Sequence, residues 1–296
     1  MAQDEHIRLA AFDWLRELTL VHGDTLPREV LNNGFVHQGT RFTLIGPKGI
    51  WKPKGMQLPI SITTAPNGPY DDGAVADGSW HYKYRGTNPY HPDNIGLRTV
   101  MRMKKPLIYF FGIVPGYYVP QWPVYLTHDN MSQLSFTLVI EDDIQRISAG
   151  EPDPVETYKR NYKTVSTIIR LHQRSFREKV MMAYKDQCSL CRLKHRELLD
   201  AAHIIADKED HGDPIVPNGL SLCKIHHAAF DRHILGITPD YIIKVRRDIL
   251  EEVDGPMLKY GIQSLENNKI ILPTTRKDRP DRDRLAERYE VFRRVG

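Results

Sequence analysis

Hydrophobic residues at the start of the chain recur with the spacing of an amphipathic helix. Within residues 4–21 the apolar positions fall three or four apart, as they do along one helix face: Ile7, Ala10, Ala11, Trp14, Leu15 and Leu18. A second, short helix is predicted at residues 28–32, where the sequence NNGF would end it.

From residue 40 to residue 140 the pattern changes to short runs rich in β-branched and aromatic residues. Gly, Pro and Asn separate these runs at intervals of about ten residues: RFTLI, LPISITT, SWHYKYR, PLIYFFGIV, YYVPQWPVYLT and LSFTLVI. This spacing is typical of strands joined by turns, so the pattern predicts an antiparallel sandwich or barrel.

Residues 141–155 are polar and contain Pro and Gly, as boundaries between domains often do. A basic helical region is predicted at residues 155–184. Between residues 155 and 196 there are eleven Lys or Arg but only three Asp or Glu, in a chain whose net charge is only +4. Such a segment could contact several DNA phosphates if its charges share one face.

The 296 residues are enough for two domains. We predict an α+β protein with an N-terminal domain at 1–150, a basic helical linker at 151–175 and a C-terminal domain at 176–296. No run approaches the ~18 apolar residues of a membrane helix, and the first residues, MAQDEHIRLA, lack an apolar signal core. These features predict a cytoplasmic protein, and three cysteines do not suit a disulfide framework.

All three cysteines stand at the spacing of metal ligands. Cys188 and Cys191 form a C-x-x-C pair, and Cys223 and His226 form a C-x-x-H pair after 31 intervening residues. Two such pairs suit a structural zinc ion with four ligands at the corners of a tetrahedron. The alternative is three unrelated buried cysteines and a surface histidine.

The residues between the two pairs carry AAHII, with His203, and then PNGLSLC, with Asn218, before the adjacent His226 and His227. In this order, residues 176–237 resemble the HNH nucleases of the ββα-metal class. The resemblance implies that His203, on a strand, is the general base, and that Asn218 fixes the loop or orients His203. It also implies that His227, on the following helix, binds a catalytic divalent cation such as Mg²⁺ or Mn²⁺.

Two aspartates are candidate further ligands of that cation. Asp231 lies four residues after His227, on the same helical face. Many HNH nucleases carry Asp or His directly before the general base, where this chain has Ala202. Asp200 could substitute if the strand is bulged, or it could be a solvated loop acid. His226 would complete the zinc site, so the two adjacent histidines would serve two different metal ions.

A second resemblance lies in the stretch GPYDDGAVADGSWHYKYRGTN. It is similar to the core of SRA (SET- and RING-associated) domains, and NIGLR and PLIYFFGIVPGYY resemble the strands that follow. The resemblance implies an SRA/PUA-like β-barrel with flanking helices, which flips a modified cytosine into a pocket. Tyr70 and Tyr84 would sandwich the base, with Tyr82 as a rival for Tyr84; Asp72 would read the base edge, with Asp71 as its rival. The alternative is tyrosines buried in a barrel core and aspartates that cap turns.

The stretch GIWKPKGM offers Trp51, Lys52 and Lys54 as candidate DNA contacts. The alternative is a loop that packs its tryptophan on the barrel.

Together the two resemblances imply a modification-dependent (type IV-like) restriction endonuclease that binds 5-methyl- or 5-hydroxymethylcytosine in double-stranded DNA. Cleavage of both strands by a domain with one active site implies a homodimer. One alternative is an HNH endonuclease that recognises unmodified sequence or DNA structure. Another is a non-catalytic, zinc-containing DNA-binding protein.

Overall fold

The structure, a computed structural model, describes residues 2–66, 80–140 and 172–295. The chain divides into two compact units between residues 171 and 172. Most of the predicted basic linker, residues 151–171, lies outside the described residues. Within the described ranges, none of the helices is long and apolar enough to cross a membrane.

Helix α1 (Ala2–His22) opens the N-terminal unit and confirms the first predicted helix. Its inward face buries apolar residues at helical spacing: Ile7, Ala11 and Leu15. Arg8 is buried on the same helix, where its guanidinium donates to the carbonyl oxygens of Pro59 at 2.5 Å and Pro106 at 2.7 Å. The second predicted helix is α2 (Arg28–Asn33).

The described residues of this unit contain nine strands: β1 (Leu26–Pro27), β2 (Phe35–His37), β3 (Thr40–Phe42), β4 (Ile50–Trp51), β5 (Ser61–Thr64), β6 (Trp80–Lys83), β7 (Leu107–Val114), β8 (Tyr117–Asn130) and β9 (Ser135–Ile140). Seven of them form one sheet in the order β4–β5–β7–β8–β9–β6, with β1 paired to β8, and β2 pairs with β3. Pairing is antiparallel except between β5 and β7, which run parallel. This one parallel pair departs from the predicted antiparallel sandwich or barrel.

Part of the chain between β5 and β7 is a helix, α3 (Pro92–Arg102), at the point where NIGLR was expected to form a strand. That expectation is wrong. A proline occupies the first helical position, and His91 Nδ1 accepts a hydrogen bond from the Asp93 N–H at 3.2 Å, which caps the helix. Leu97 and Val100 then fall on one buried face.

The seven-stranded sheet curls into a half-barrel. In a flat sheet, β6 and β7 would lie about 14 Å apart, because two strands separate them. Instead, the rings of Trp80 and Tyr82 in β6 each contact the ring of Tyr109 in β7 at a centroid distance of 6.2 Å. The concave face therefore encloses an aromatic core.

The C-terminal unit begins with helix α4, at residues 172–183. It continues with β10 (Leu199–His203), β11 (Gly219–Cys223), α5 (Lys224–Asp231), β12 (Leu235–Ile237), β13 (Ile243–Val245), α6 (Arg247–Glu251), α7 (Pro256–Gly261) and α8 (Arg282–Val295). Strands β10 and β11 pair in regular antiparallel register, and β12 pairs with β13. The first hairpin passes directly into α5, which gives the unit a ββα order.

Gly219 lets α4 pack closely on the β10–β11 hairpin. A Cβ atom at Gly219 would lie 2.5 Å from Val180 Cγ2 and 2.9 Å from the Phe176 ring, so a larger residue would displace the helix. Gly219 is also the register partner of His203. The close packing of α4 thus brings Phe176 next to His203.

Candidate functional site

The first pair of candidate metal ligands lies in a tight turn between α4 and β10. The Cys188 N–H donates to the Leu193 carbonyl at 2.9 Å, and the Cys188 carbonyl accepts from the Arg192 N–H at 3.0 Å. Arg192 has a φ of 65°, and this left-handed residue closes the turn directly after Cys191.

The second pair lies where β11 passes into α5. Cys223 ends the strand at the N-cap position of the helix, and His226 lies in the first helical turn. Nδ1 of His226 is 3.4 Å from Cys188 Sγ and 3.3 Å from Cys223 Sγ. The four ligand atoms, including that of Cys191, all lie within 4.8 Å of one another.

These distances suit a tetrahedral zinc site, in which neighbouring S and N ligand atoms are about 3.5–3.8 Å apart. Nε2 of His226 contacts the Gly261 carbonyl oxygen at 2.8 Å, so Nε2 carries the proton and Nδ1 faces the sulfurs as a free ligand. The pKa of Cys223 is lowered and that of Cys191 is raised, in both cases chiefly by hydrogen bonding to Cys188. Three sulfurs and one imidazole nitrogen this close together could hold zinc.

His203 ends β10 and is half-buried against α4. Its imidazole stacks on the Phe176 ring, with a centroid distance of 4.0 Å and an interplanar angle of 17°. Among the described residues, its buried Nε2 has no hydrogen-bond partner, so we expect Nδ1 to be the ring nitrogen that meets water or substrate. Burial lowers the pKa of His203, although Asp207 and Asp231 act in the opposite direction. The imidazole is therefore neutral at pH 7 and able to accept a proton.

His227 lies on α5 between two carboxylates. Its Nδ1 is 3.4 Å from Asp200 Oδ2, and its Nε2 is 3.3 Å from Asp231 Oδ2. A ring nitrogen with a free lone pair repels a carboxylate oxygen, so each contact needs a proton or a cation between its two atoms. The pKa of His203 responds to the charges of His227 and Asp231. Both groups therefore act electrostatically on the imidazole of His203.

Asp200 lies on the opposite face of β10 from His203, because the two are three residues apart and side chains alternate along a strand. The predicted possibility of a bulge here is wrong, since the pairing of β10 with β11 is regular. The Asp200 carboxylate accepts hydrogen bonds from Lys224 Nζ at 2.7 and 2.6 Å. Burial would raise the pKa of Asp200, but Lys224 and His227 hold it below its usual value.

Asn218 is fully buried and contacts the backbone of the loop that follows β10. Its Oδ1 accepts from the Ile205 N–H at 2.9 Å, and its Nδ2 donates to the carbonyls of Ile205 at 3.0 Å and Asp213 at 3.1 Å. The Asn218 carbonyl also accepts from the Ile204 N–H at 2.9 Å. Of the two roles expected for this amide, the contacts fit fixing the loop.

Three base-pocket candidates, Tyr70, Asp71 and Asp72, lie outside the described residues. Tyr82 is buried in the concave aromatic core, where its ring meets that of Tyr109 edge to face.

Tyr84 is also buried, in a polar contact between three elements. Its hydroxyl contacts the Asp129 carboxylate and accepts a hydrogen bond from Arg98 Nη2 at 3.1 Å. Its ring packs on Phe136 at a centroid distance of 4.8 Å. Burial, followed by the bond to Asp129, raises the pKa of Tyr84. These contacts correspond to the alternative of a tyrosine held in the core.

Trp51 is half-buried rather than presented to solvent. Its Nε1 donates to the Thr43 carbonyl at 3.0 Å, and its ring lies directly over Gly46, where a Cβ atom would come within 2.0 Å. Lys52 and Lys54 are exposed beside it. The loop thus packs its tryptophan and exposes two ammonium groups that could contact an anion.

Two contacts at this site were not predicted from the sequence. Phe176 was assigned only to the apolar stripe of its helix, and nothing in the local pattern connects it to His203. The pair formed by Lys224 and Asp200 joins a helix to a strand across 24 residues, so only the register of the hairpin reveals it.

A family model described as "HNH endonuclease" matches residues 188–238. The chain carries an HNH endonuclease domain. The predicted enzyme class, a DNA endonuclease, is therefore confirmed. The matched residues run from the first zinc-ligand candidate, Cys188, past Asp231 to the end of β12, and so include the whole ββα segment. No curated protein matches the chain.

Two solved structures are similar to this HNH protein. One is titled "Modification dependent TagI restriction endonuclease", with 18% identity over 78% of this chain and 81% of that chain and a TM-score of 0.28. The other is titled "Structure of the Type IV phosphorothioation-dependent restriction endonuclease ScoMcrA", with 13% identity over 57% of this chain and 52% of that chain and a TM-score of 0.20. Both TM-scores are low, so the functional conclusion rests on the family match and on the geometry of the site.

Proposed function

We propose that this chain is a modification-dependent restriction endonuclease whose HNH domain hydrolyses DNA phosphodiester bonds with His203 as general base. The observation that carries the catalytic part is the neutral imidazole of His203 close to the His227–Asp231 pair. Modification dependence rests on the resemblance of the segment containing Tyr70 and Asp72 to SRA domains.

In this mechanism, Nδ1 of His203 takes a proton from the water that attacks the phosphorus. The Phe176 ring fixes the plane of the imidazole, and the buried Asn218 amide fixes the loop that follows the base. A divalent cation bound by His227 and Asp231 would supply stabilisation of negative charge on the phosphate and leaving oxygens. The zinc held by the Cys/His group would fix the start of α5, and with it His227.

We assign Asp200 a positioning role instead of a place among the cation ligands. Its Oδ2 atom faces Nδ1 of His227 at 3.4 Å and can accept the proton on that nitrogen. This contact would select the tautomer in which Nε2 is free to bind the cation beside Asp231. Lys224 keeps Asp200 ionised for this task.

Changing Asp200→Asn is expected to weaken the apparent affinity for Mn²⁺ about 10- to 100-fold, as for other partners of metal-bound histidines. The affinity is read from the Mn²⁺ dependence of single-turnover DNA cleavage, with zinc content measured alongside. Asp240→Asn is the matched control, because Asp240 is exposed and pairs only with Arg282 at 3.4 Å among the described residues. An unchanged Mn²⁺ dependence in the Asp200→Asn variant would refute the positioning role.

We propose that the N-terminal unit recognises the modified base. Tyr70, Asp72 and Tyr84 would surround a flipped 5-methyl- or 5-hydroxymethylcytosine, with Tyr82 as the rival of Tyr84 and Asp71 as the rival of Asp72. Aromatic faces stack on the base, and a carboxylate accepts from its exocyclic amine. Cleavage of both strands by one HNH domain per chain would require a homodimer on double-stranded DNA.

The test is cleavage of otherwise identical duplexes that bear cytosine, 5-methylcytosine or 5-hydroxymethylcytosine, with Mg²⁺, Mn²⁺ or chelator. The proposal predicts cleavage of at least one modified duplex and at least about tenfold slower cleavage of the unmodified one, a difference of about 1.4 kcal/mol. Equal rates on all three duplexes would refute modification dependence and leave the nuclease assignment intact.

The second candidate is an HNH endonuclease that recognises unmodified sequence or DNA structure. One observation favours it: Tyr84 is occupied by Arg98 and Asp129, and Tyr82 lies in the aromatic core, so neither presents a free ring face at the surface. The same comparison of duplexes separates the two candidates.

A further inference from the structure

Helix α8 lies beyond the residues matched by the HNH family and is nevertheless built into the nuclease unit. Leu285 and Phe292 are buried on its inner face, and Phe292 covers Gly236 of β12, where a Cβ atom would lie 2.6 Å from the ring. Just before the helix, the Asp281 N–H donates to the Pro217 carbonyl at 2.9 Å, one residue before Asn218. The helix is thus fixed against the ββα segment.

Arg288 lies in the middle of α8 and is held against α5. Its guanidinium carbon is 4.9 Å from the centroid of the Phe230 ring, and its Nη2 donates to the Phe230 carbonyl at 3.2 Å. The same Nη2 atom is 3.9 Å from Asp231 Oδ1. Since the other oxygen of Asp231 faces His227, the guanidinium lies immediately beside the proposed cation ligands.

The guanidinium also has unused hydrogen-bonding capacity. Within residues 2–66, 80–140 and 172–295, Nη2 is the only nitrogen of Arg288 with a hydrogen-bond partner, and Nε is buried without one. Asp231 and Glu209 supply negative charge nearby. These groups use only part of the hydrogen-bonding capacity of the guanidinium, and an arriving anion could accept from its Nη1 atom.

We propose that Arg288 binds a DNA phosphate at the HNH site, beside the cation held by His227 and Asp231. The proposal rests on the proposed nuclease function for the place of that cation. A guanidinium offers paired N–H donors that match phosphate oxygens, and its stacking on Phe230 orders the side chain before DNA arrives. Helix α8 would thereby add a phosphate-binding arginine to a site whose proposed general base and cation ligands lie within the matched range 188–238.

The test compares the wild type with Arg288→Ala in two measurements. DNA binding without divalent cation is measured as a function of salt concentration. The salt slope, which is the slope of the logarithm of the binding constant against the logarithm of the salt concentration, should be smaller in magnitude by about one, because one phosphate contact is lost. Single-turnover cleavage with Mn²⁺ should fall about 100-fold, as when one charge-stabilising donor is removed. Arg293→Ala is the matched control, since Arg293 is exposed on the same helix and pairs with Glu290 at 3.0 Å.

Arg288→Lys should recover part of the salt slope that Arg288→Ala loses, because lysine restores the positive charge but not the paired N–H donors of the guanidinium. If Arg288→Ala fails to fold, Arg288→Gln, which can still reach the Phe230 carbonyl, is judged by the same salt slope. A wild-type salt slope in a folded neutral variant overturns the proposal, whatever its cleavage rate. Failure of the proposed function looks different: the wild type would then cleave no DNA, or His203→Ala would cleave normally.

Discussion

Replacing His203 by alanine is expected to lower the rate of DNA cleavage at least about 10³-fold, the loss typical of a general base. The half-buried imidazole interacts electrostatically with both His227 and Asp231, and burial lowers its pKa. Single-turnover cleavage of a plasmid at saturating Mn²⁺ measures the effect. Because His203 lies at the opposite end of the β10–β11 hairpin from Cys223 and is not among the zinc-ligand candidates, zinc content should change little.

His195→Ala is the matched control, because His195 is an exposed histidine of the same unit whose side chain pairs only with Glu197, at 3.6 Å, among the described residues. A pH series sharpens the test. Only neutral His203 can act as a base, so the rate should be lost as pH falls through a pKa below the usual 6.5. Wild-type cleavage by purified His203→Ala would refute the assignment.

The Cys/His group that could hold a metal ion was predictable because the spacing of its residues is local. Cys188 and Cys191 lie in one turn, Cys223 is the N-cap of one helix and His226 lies in its first turn, so two short segments bring four ligand atoms together. The resemblance to HNH nucleases predicted the order of the strands and the helix that lie between and after the two ligand pairs. What local spacing could not supply was the pairing of β10 with β11, which decides the face on which Asp200 lies.

The contacts of α4 and α8 with the site could not be read from local patterns. Phe176 reaches His203 only because a glycine stands opposite His203 in the hairpin, and Arg288 reaches Asp231 from a helix 57 residues further along the chain. Apolar periodicity shows which face of such a helix is buried, but not what it is buried against.

In the N-terminal unit, the strands were predictable and their connections were not. The aromatic, β-branched runs became strands, yet NIGLR became part of α3 because a capped helix start precedes it. The parallel pairing of β5 with β7 depends on that helix, since parallel neighbours need a long crossover. Likewise, the sequence could not show that Arg98 of α3 and Asp129 of β8 would engage Tyr84.

Alanine substitutions of the two adjacent histidines on α5 are expected to have different effects. His226→Ala should lose zinc and lower Tm by about 10 °C or more, because structural zinc contributes several kcal/mol to folding. His227→Ala should keep zinc and Tm but lower cleavage at least about 100-fold, because a ligand of the catalytic cation is lost. Each variant is the matched control for the other, because the two side chains are neighbours on α5 but face different groups.

The division of the two histidines between two metal sites is the central claim, and one paired measurement tests it most directly. Zinc per chain and Mn²⁺-dependent plasmid cleavage are measured on the same preparations of wild type, His226→Ala and His227→Ala. We predict one zinc ion per chain in the wild type and in His227→Ala, and none in His226→Ala. The wild type should cleave the plasmid much faster than His227→Ala does. Loss of zinc from His227→Ala, or wild-type cleavage by it, would contradict the account.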